Sequence, residues 1–146
     1  MFETEGPVPA PNNIQIAFDT NIWVSFTIGK RMNFLKEILT KQKFRIFICP
    51  EIVNEYLRVV RNERIMKYIS TQRIFDTINL IESFTQSREV KSATKISRDP
   101  NDDFLLAFCH ENNLDYLITG DKDLLVLKKY HSTQIVTFTE FTDIIS

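Results

Sequence analysis

Short apolar runs bounded by turn residues alternate along the chain with stretches whose apolar positions recur every three or four residues. Those two periods belong to strand and helix respectively. The runs Ile14–Phe18, Arg45–Ile48, Tyr116–Ile118 and Gln134–Thr137 predict strands. Helical length, composition or spacing is found at Ile22–Ile28, Phe34–Thr40, Pro50–Arg61, Thr71–Phe84, Asp102–Asn112, Lys122–Lys129 and Glu140–Ile145. Strands separated by helices need right-handed crossovers, which give a mainly parallel sheet covered on both faces. The expected product is a three-layer α/β/α domain with about four or five strands in its central sheet. Residues 1–13 carry three Pro, two Asn and a Gly with few apolar side chains, so they predict a flexible lead-in to a single domain over 14–146.

Composition narrows the function. A length of 146 residues is one domain's worth, and 43% hydrophobic residues with twelve Phe supply an ample core. Eighteen basic against nineteen acidic residues leave a formal charge of −1, which argues against passive coating of nucleic acid but not against an enzyme with a local basic rim and a bound metal. Three glycines cannot write a dinucleotide fingerprint or a P-loop, so no nucleotide cofactor is expected. Cys49 and Cys109 lie inside apolar stretches and read as buried thiols of a reducing compartment. No run reaches the ~18–20 apolar residues of a bilayer span, and the acidic, proline-rich start is not a signal peptide, which together predict a soluble cytoplasmic protein without a membrane partner.

In a parallel sheet ligands bind beyond the carboxyl ends of the strands, so the residues that follow each strand matter most. Asp19 follows the first strand and opens Asp19-Thr20-Asn21 before a helix; Asp121 follows Thr119-Gly120 after a late strand, again before a helix. Either could be an ordinary N-cap, with Asp123 favouring the dipole of the second helix. If the two strands are neighbours, both carboxylates reach one sheet edge, which capping does not require. Glu55 projects at the border of the stripe Ile52, Val53, Tyr56 and Val60, where it could equally be solvated or paired with Arg58. In the acidic run before Phe104, Asp99 suits an N-cap, Pro100 the first helical position and Asp102 the reciprocal cap, which leaves Asp103 facing inward without a structural task. Register in that run also allows Asp102 to take the place assigned to Asp103.

Asp19, Glu55, Asp103 and Asp121 thus point toward one edge, with Asp123 nearby and no lysine partner among them. Crowded carboxylates are relieved by a hard divalent cation, and an all-oxygen donor set selects Mg²⁺ or Mn²⁺ over Zn²⁺. His110 and His131 read as isolated and without ligand spacing. Such a site suits phosphodiester hydrolysis. Thr20, Asn21 and Thr119 are candidate supporting groups, and Arg98, Lys122, Lys30 and Arg31 are candidate contacts to substrate phosphate.

Phe18-Asp-Thr-Asn-Ile-Trp23, the Glu55 helix, Asp99-Pro-Asn-Asp-Asp103-Phe-Leu-Leu-Ala107 and Thr119-Gly-Asp-Lys-Asp-Leu124, in that order, resemble the PIN domain family over about residues 14–140. Chain length and the acidic run are most similar to stand-alone prokaryotic PIN proteins known as toxin components. The resemblance implies a Mg²⁺- or Mn²⁺-dependent ribonuclease acting on single-stranded RNA, partnered by an antitoxin protein and assembling as a homodimer. It also implies Asp19, Glu55, Asp103 and Asp121 as the acidic quartet, with Asp123 accessory and Asn21 and Thr119 supporting. Two alternatives stand beside it: a PIN-fold module that binds RNA or protein without cutting, and a structure-directed DNA nuclease, which the lack of a duplex-binding insertion disfavours.

Overall fold

A computed structural model describes residues 14–29, 31–40, 43–91 and 100–145, with side chains from Asp103 onward in the last segment. The expected lead-in at 1–13, the Asp99 cap, Lys30 and Arg98 lie outside the described residues, as does the side chain of Asp102.

The chain runs β1 (Ile14–Phe18), α1 (Thr20–Ile28), α2 (Met32–Thr40), β2 (Phe44–Ile48), α3 (Pro50–Val60), α4 (Glu63–Met66) and α5 (Thr71–Phe84). It continues through β3 (Thr85–Ser87), α6 (Pro100–Glu111), β4 (Tyr116–Ile118), α7 (Lys122–Leu125), β5 (Lys129–Tyr130), β6 (Thr133–Val136) and α8 (Phe138–Ile145). The sheet order is β3-β2-β1-β4-β6-β5, parallel except for the terminal β5–β6 hairpin, and helices complete the three-layer α/β/α architecture. The sheet therefore has six strands, not four or five. The two that sequence pattern misses, β3 and β5, are short edge strands with no buried apolar position, too little for alternation to show. The helix expected over Lys122–Lys129 also stops early: it ends at Leu125, Lys128 takes φ +62°, and Lys129 enters β5.

Alternation along the central strands builds the core. Register pairs Ile14 with Phe44, Ile16 with Ile46 and Tyr116, and Phe18 with Ile118, so these side chains share one face of the sheet. Onto that face pack Trp23 and Phe26 of α1 and Phe141 of α8, each edge-to-face with the ring of Phe18 at centroid distances of 5.4, 5.2 and 6.4 Å. Leu106, Phe108 and Cys109 of α6 are likewise fully buried.

A polar knot fixes α1 against α3 and α5. The Thr27 hydroxyl, wholly buried, bonds the Tyr56 hydroxyl at 2.6 Å and the Thr77 hydroxyl at 3.0 Å, and also donates to the Trp23 carbonyl at 3.1 Å. The Thr77 hydroxyl also lies 2.9 Å from the Arg73 carbonyl, so its one proton is shared between that oxygen and Thr27. Each hydroxyl has a partner, so burying them costs little. Tyr56 immediately follows Glu55, and the knot therefore sets how α3 presents its other face.

Candidate active site

Because β1 and β4 are neighbours, Asp19 and Asp121 do emerge side by side at the carboxyl edge of the sheet. Both are also N-caps. Asp19 Oδ1 accepts the Thr20 backbone N–H at 2.6 Å, and Asp121 Oδ1 accepts the Asp123 N–H at 2.9 Å. The capping and convergence readings are compatible, since a carboxylate has several lone pairs and each cap uses one oxygen. Thr119 ties the two together: its hydroxyl donates to Asp19 Oδ2 at 2.7 Å and accepts the Asp121 N–H at 3.0 Å, all from a position with no solvent exposure.

These residues open onto a cleft of about 330 Å³ whose lining includes Asp19, Thr20, Asn21, Glu55 and Asp121. The opposite wall is the polar face of α3, Glu51, Asn54, Glu55 and Arg58, while Phe104 and Leu105 of α6 add an apolar strip. Burial pushes the Asp19 carboxyl above its ordinary value; the bonds from Thr119 and Thr20 oppose that, and the charges of Asp121 and Glu55 add to it. Asp19 thus feels both other carboxylates.

Three of the four acids expected to converge, Asp19, Glu55 and Asp121, line this cleft. Asp103 is 7% exposed on α6, immediately before Phe104, and is not one of the lining residues. Asp123 is exposed on α7 and contributes its backbone N–H to Asp121. Glu55 does have a cationic neighbour: Arg58 Nη2 lies 3.0 Å from its Oε1. Of the expected phosphate contacts, Lys122 is exposed beside Asp121 but does not line the cleft. Arg31 stands beyond the far end of α1 from Asp19, a helix of nine residues and thus ~13 Å. Its guanidinium lies 4.1 Å over the Phe138 ring, so it is not placed at this edge.

Sequence reasoning left out Glu51, Asn54 and Arg58 as site residues. The signal was present: positions 51, 54, 55 and 58 follow the i, i+3, i+4, i+7 pattern of one helix face. That stripe reads as solvated until another wall is known to face it. His110 and His131 are not isolated either; their rings stack at 3.8 Å between centroids with 21° between planes.

As the side chains stand, no three His, Cys, Asp or Glu among the described residues are close enough to hold an ion. The donor set nevertheless fits a hard cation. Three carboxylates share one cleft, half-buried Asp19 feels the repulsion of the other two, and each cap uses only part of its carboxylate's acceptor capacity.

The sequence matches the family model of the PIN domain over residues 15–123. The chain belongs to the PIN domain family. No curated protein matches it. Among solved structures, this PIN domain is similar to PAE2754 from Pyrobaculum aerophilum, with a TM-score of 0.60 and 14% identity over 90% of each chain. It is also similar to VapBC2 from Rickettsia felis, solved bound to a DNA fragment from their promoter, with a TM-score of 0.52 and 12% identity over 84% of this chain and 97% of that one. At such identities the likeness is one of fold. Among the described residues of this PIN domain, no helix is long and apolar enough to cross a membrane.

Proposed function

We propose that this PIN domain is a divalent-metal-dependent endoribonuclease that hydrolyses phosphodiester bonds in single-stranded RNA and serves as the toxin of a toxin–antitoxin pair. The observation that carries the proposal is the meeting of Asp19, Glu55 and Asp121 in one cleft at the carboxyl edge of the sheet. Asp19, Glu55 and Asp121 would hold Mg²⁺ or Mn²⁺, with Asp103 and Asp123 as adjoining acids. When bound, the cation supplies a positive centre that makes water a competent nucleophile and offsets charge on the phosphoryl oxygens. The chain's own part is to hold the carboxylates in register. Thr119 fixes Asp19 from below, and the α1 cap orients its second oxygen. Family membership supports nuclease chemistry, and the toxin role draws on the likeness to VapBC2.

Incubating the purified protein with a mixed-sequence single-stranded RNA and Mn²⁺ or Mg²⁺ tests this. Cutting that stops with EDTA and with Asp19→Asn/Asp121→Asn is the expected result. Equal cutting by that double variant would refute the assignment. A second reading, a PIN-fold binding module that does not cut, is favoured by one feature, the Glu55–Arg58 ion pair that occupies one of the carboxylates. Folded protein that binds RNA but neither Mn²⁺ nor cleaves would establish it instead.

A further inference from the structure

We infer that Arg58 is the residue that receives the substrate's phosphodiester in this cleft, and that it competes with the divalent cation for Glu55 until the cation is bound. The inference rests on the nuclease reading above and assigns it a binding residue.

The lining sets the problem. It comprises four carboxylates, Asp19, Glu51, Glu55 and Asp121, and one guanidinium, Arg58. A nucleic-acid backbone entering such a cleft is repelled, and one divalent cation does not fully reverse that charge. Arg58 is the sole cationic side chain among the described residues of the lining, so it is the one lining group that attracts phosphate by charge. Its planar fork of donors matches two phosphate oxygens, and it sits at the mouth with its side chain 73% exposed.

The guanidinium is also available. Among the described residues it bonds from Nη2 to Glu55 Oε1, and with the side chain 73% exposed its other donors are open to a ligand. Other arginines are spent elsewhere: Arg31 over Phe138, Arg61 on the Leu57 carbonyl, Arg45 on Gln86, and Arg88 on Ser87 and Gln86. An exposed i, i+3 pair of this kind is held weakly, so a cation that takes up Glu55 displaces it readily. Release happens one helical turn from Glu55, which leaves Arg58 beside the metal-holding acids and pointed at the strand they would cut.

Competition and phosphate binding make opposite predictions for a single substitution, which a structural role would not. Removing the guanidinium in Arg58→Ala should tighten Mn²⁺ binding about two- to five-fold, since the exposed competitor of Glu55 is gone. The same variant should raise KM for a single-stranded RNA about ten-fold while kcat changes little, and lower the salt dependence of binding by the ~0.7 expected for one phosphate of a single strand. Arg58→Lys, which keeps the charge but not the fork, should recover part of the KM and most of the salt slope.

Mn²⁺ affinity is measured with the metal alone by titration calorimetry, and KM and kcat by cleavage of the labelled RNA. Wild type that cuts and binds Mn²⁺, with Arg58→Ala unchanged in KM and in Mn²⁺ affinity, overturns this inference and leaves the nuclease reading standing. Wild type that neither binds Mn²⁺ nor cuts overturns both. A fall in kcat at constant KM would also overturn it, by placing Arg58 in the chemical step and not in binding.

Discussion

Thr119→Val tests whether the carboxyl edge is a single hydrogen-bonded unit. The substitution replaces a hydroxyl by a methyl of nearly the same volume, so packing in this fully buried position is kept while two bonds are lost. One is the 2.7 Å bond donated to Asp19 Oδ2, and a bond to a charged acceptor is worth ~1.5–3 kcal/mol. The other is the 3.0 Å bond accepted from the Asp121 N–H; Asp121 is only half-buried, so water replaces part of it and the loss is ~0.5–1 kcal/mol. Together they predict a destabilisation of about 2–4 kcal/mol, a large share of the ~5–15 kcal/mol typical of a domain. Thr119→Ser keeps both bonds and deletes one methyl, so it should cost only ~1 kcal/mol. Urea unfolding of the metal-free variants measures both. The pH dependence has a definite sign. Burial raises the folded-state value of Asp19, and the Thr119 bond opposes that rise, so losing it raises the value further. The folded state then holds its proton to higher pH than the unfolded state, and the deficit of Thr119→Val is full above the folded value and shrinks as pH falls toward the ordinary 3.8. A variant within ~0.5 kcal/mol of wild type, the level of ordinary surface substitutions, would sink the argument. So would a cost equal to that of Thr119→Ser, or one that does not change with pH.

Two further outcomes follow from the core. In the Thr27–Tyr56–Thr77 knot, Tyr56→Phe removes the 2.6 Å bond while Thr27 keeps its other partners, predicting ~0.5–1.5 kcal/mol; Thr27→Val leaves the Tyr56 hydroxyl only Thr77 and should cost ~1–3 kcal/mol. Additive costs in the double variant, measured by urea unfolding, would show that the hydroxyls act independently. Burial pushes the Cys49 thiol from 9.0 up to about 12 and raises that of Cys109 as well, so neither should be alkylated by N-ethylmaleimide in the folded protein at mildly alkaline pH. Stability should then fall as pH rises above 9.0, by ~1.4 kcal/mol per pH unit for each thiol, because the unfolded chain releases the proton first. Rapid labelling without prior unfolding would contradict the burial.

The fold was legible where one residue type dominates the environment. The runs at Ile14–Phe18 and Tyr116–Ile118 coincide with strands because three of five and two of three of their residues are buried, which few other structures of so short a run permit. Pro50 and Pro100 mark the first residues of α3 and α6. β3 escaped notice because Thr85-Gln86-Ser87 carries no apolar residue, and it is a strand only because its backbone completes an edge beside Ile46–Ile48. The site was legible to the same degree. Asp19 and Asp121 follow strands, and strand adjacency does the rest. Arg58 was not, because charge on an amphipathic helix looks alike whether it meets bulk water or a facing wall.

The two N-caps show why local reasoning could neither exclude nor establish the site. A cap asks for one oxygen of an Asp, and any helix at any edge can supply the need. Here the caps open α1 and α7 from neighbouring strands, and one buried hydroxyl bonds to both of their residues. A helix start does not require that its capping carboxylate be half-buried beside two others of like charge, and for Asp19 the arrangement opposes ionisation. Asn at position 19 would keep the cap and shed the charge, but its single acceptor oxygen would forfeit the 2.7 Å bond from Thr119. The chain has Asp there, bonded by Thr119 and lining one cleft with Glu55, an arrangement whose cost a bound cation would offset.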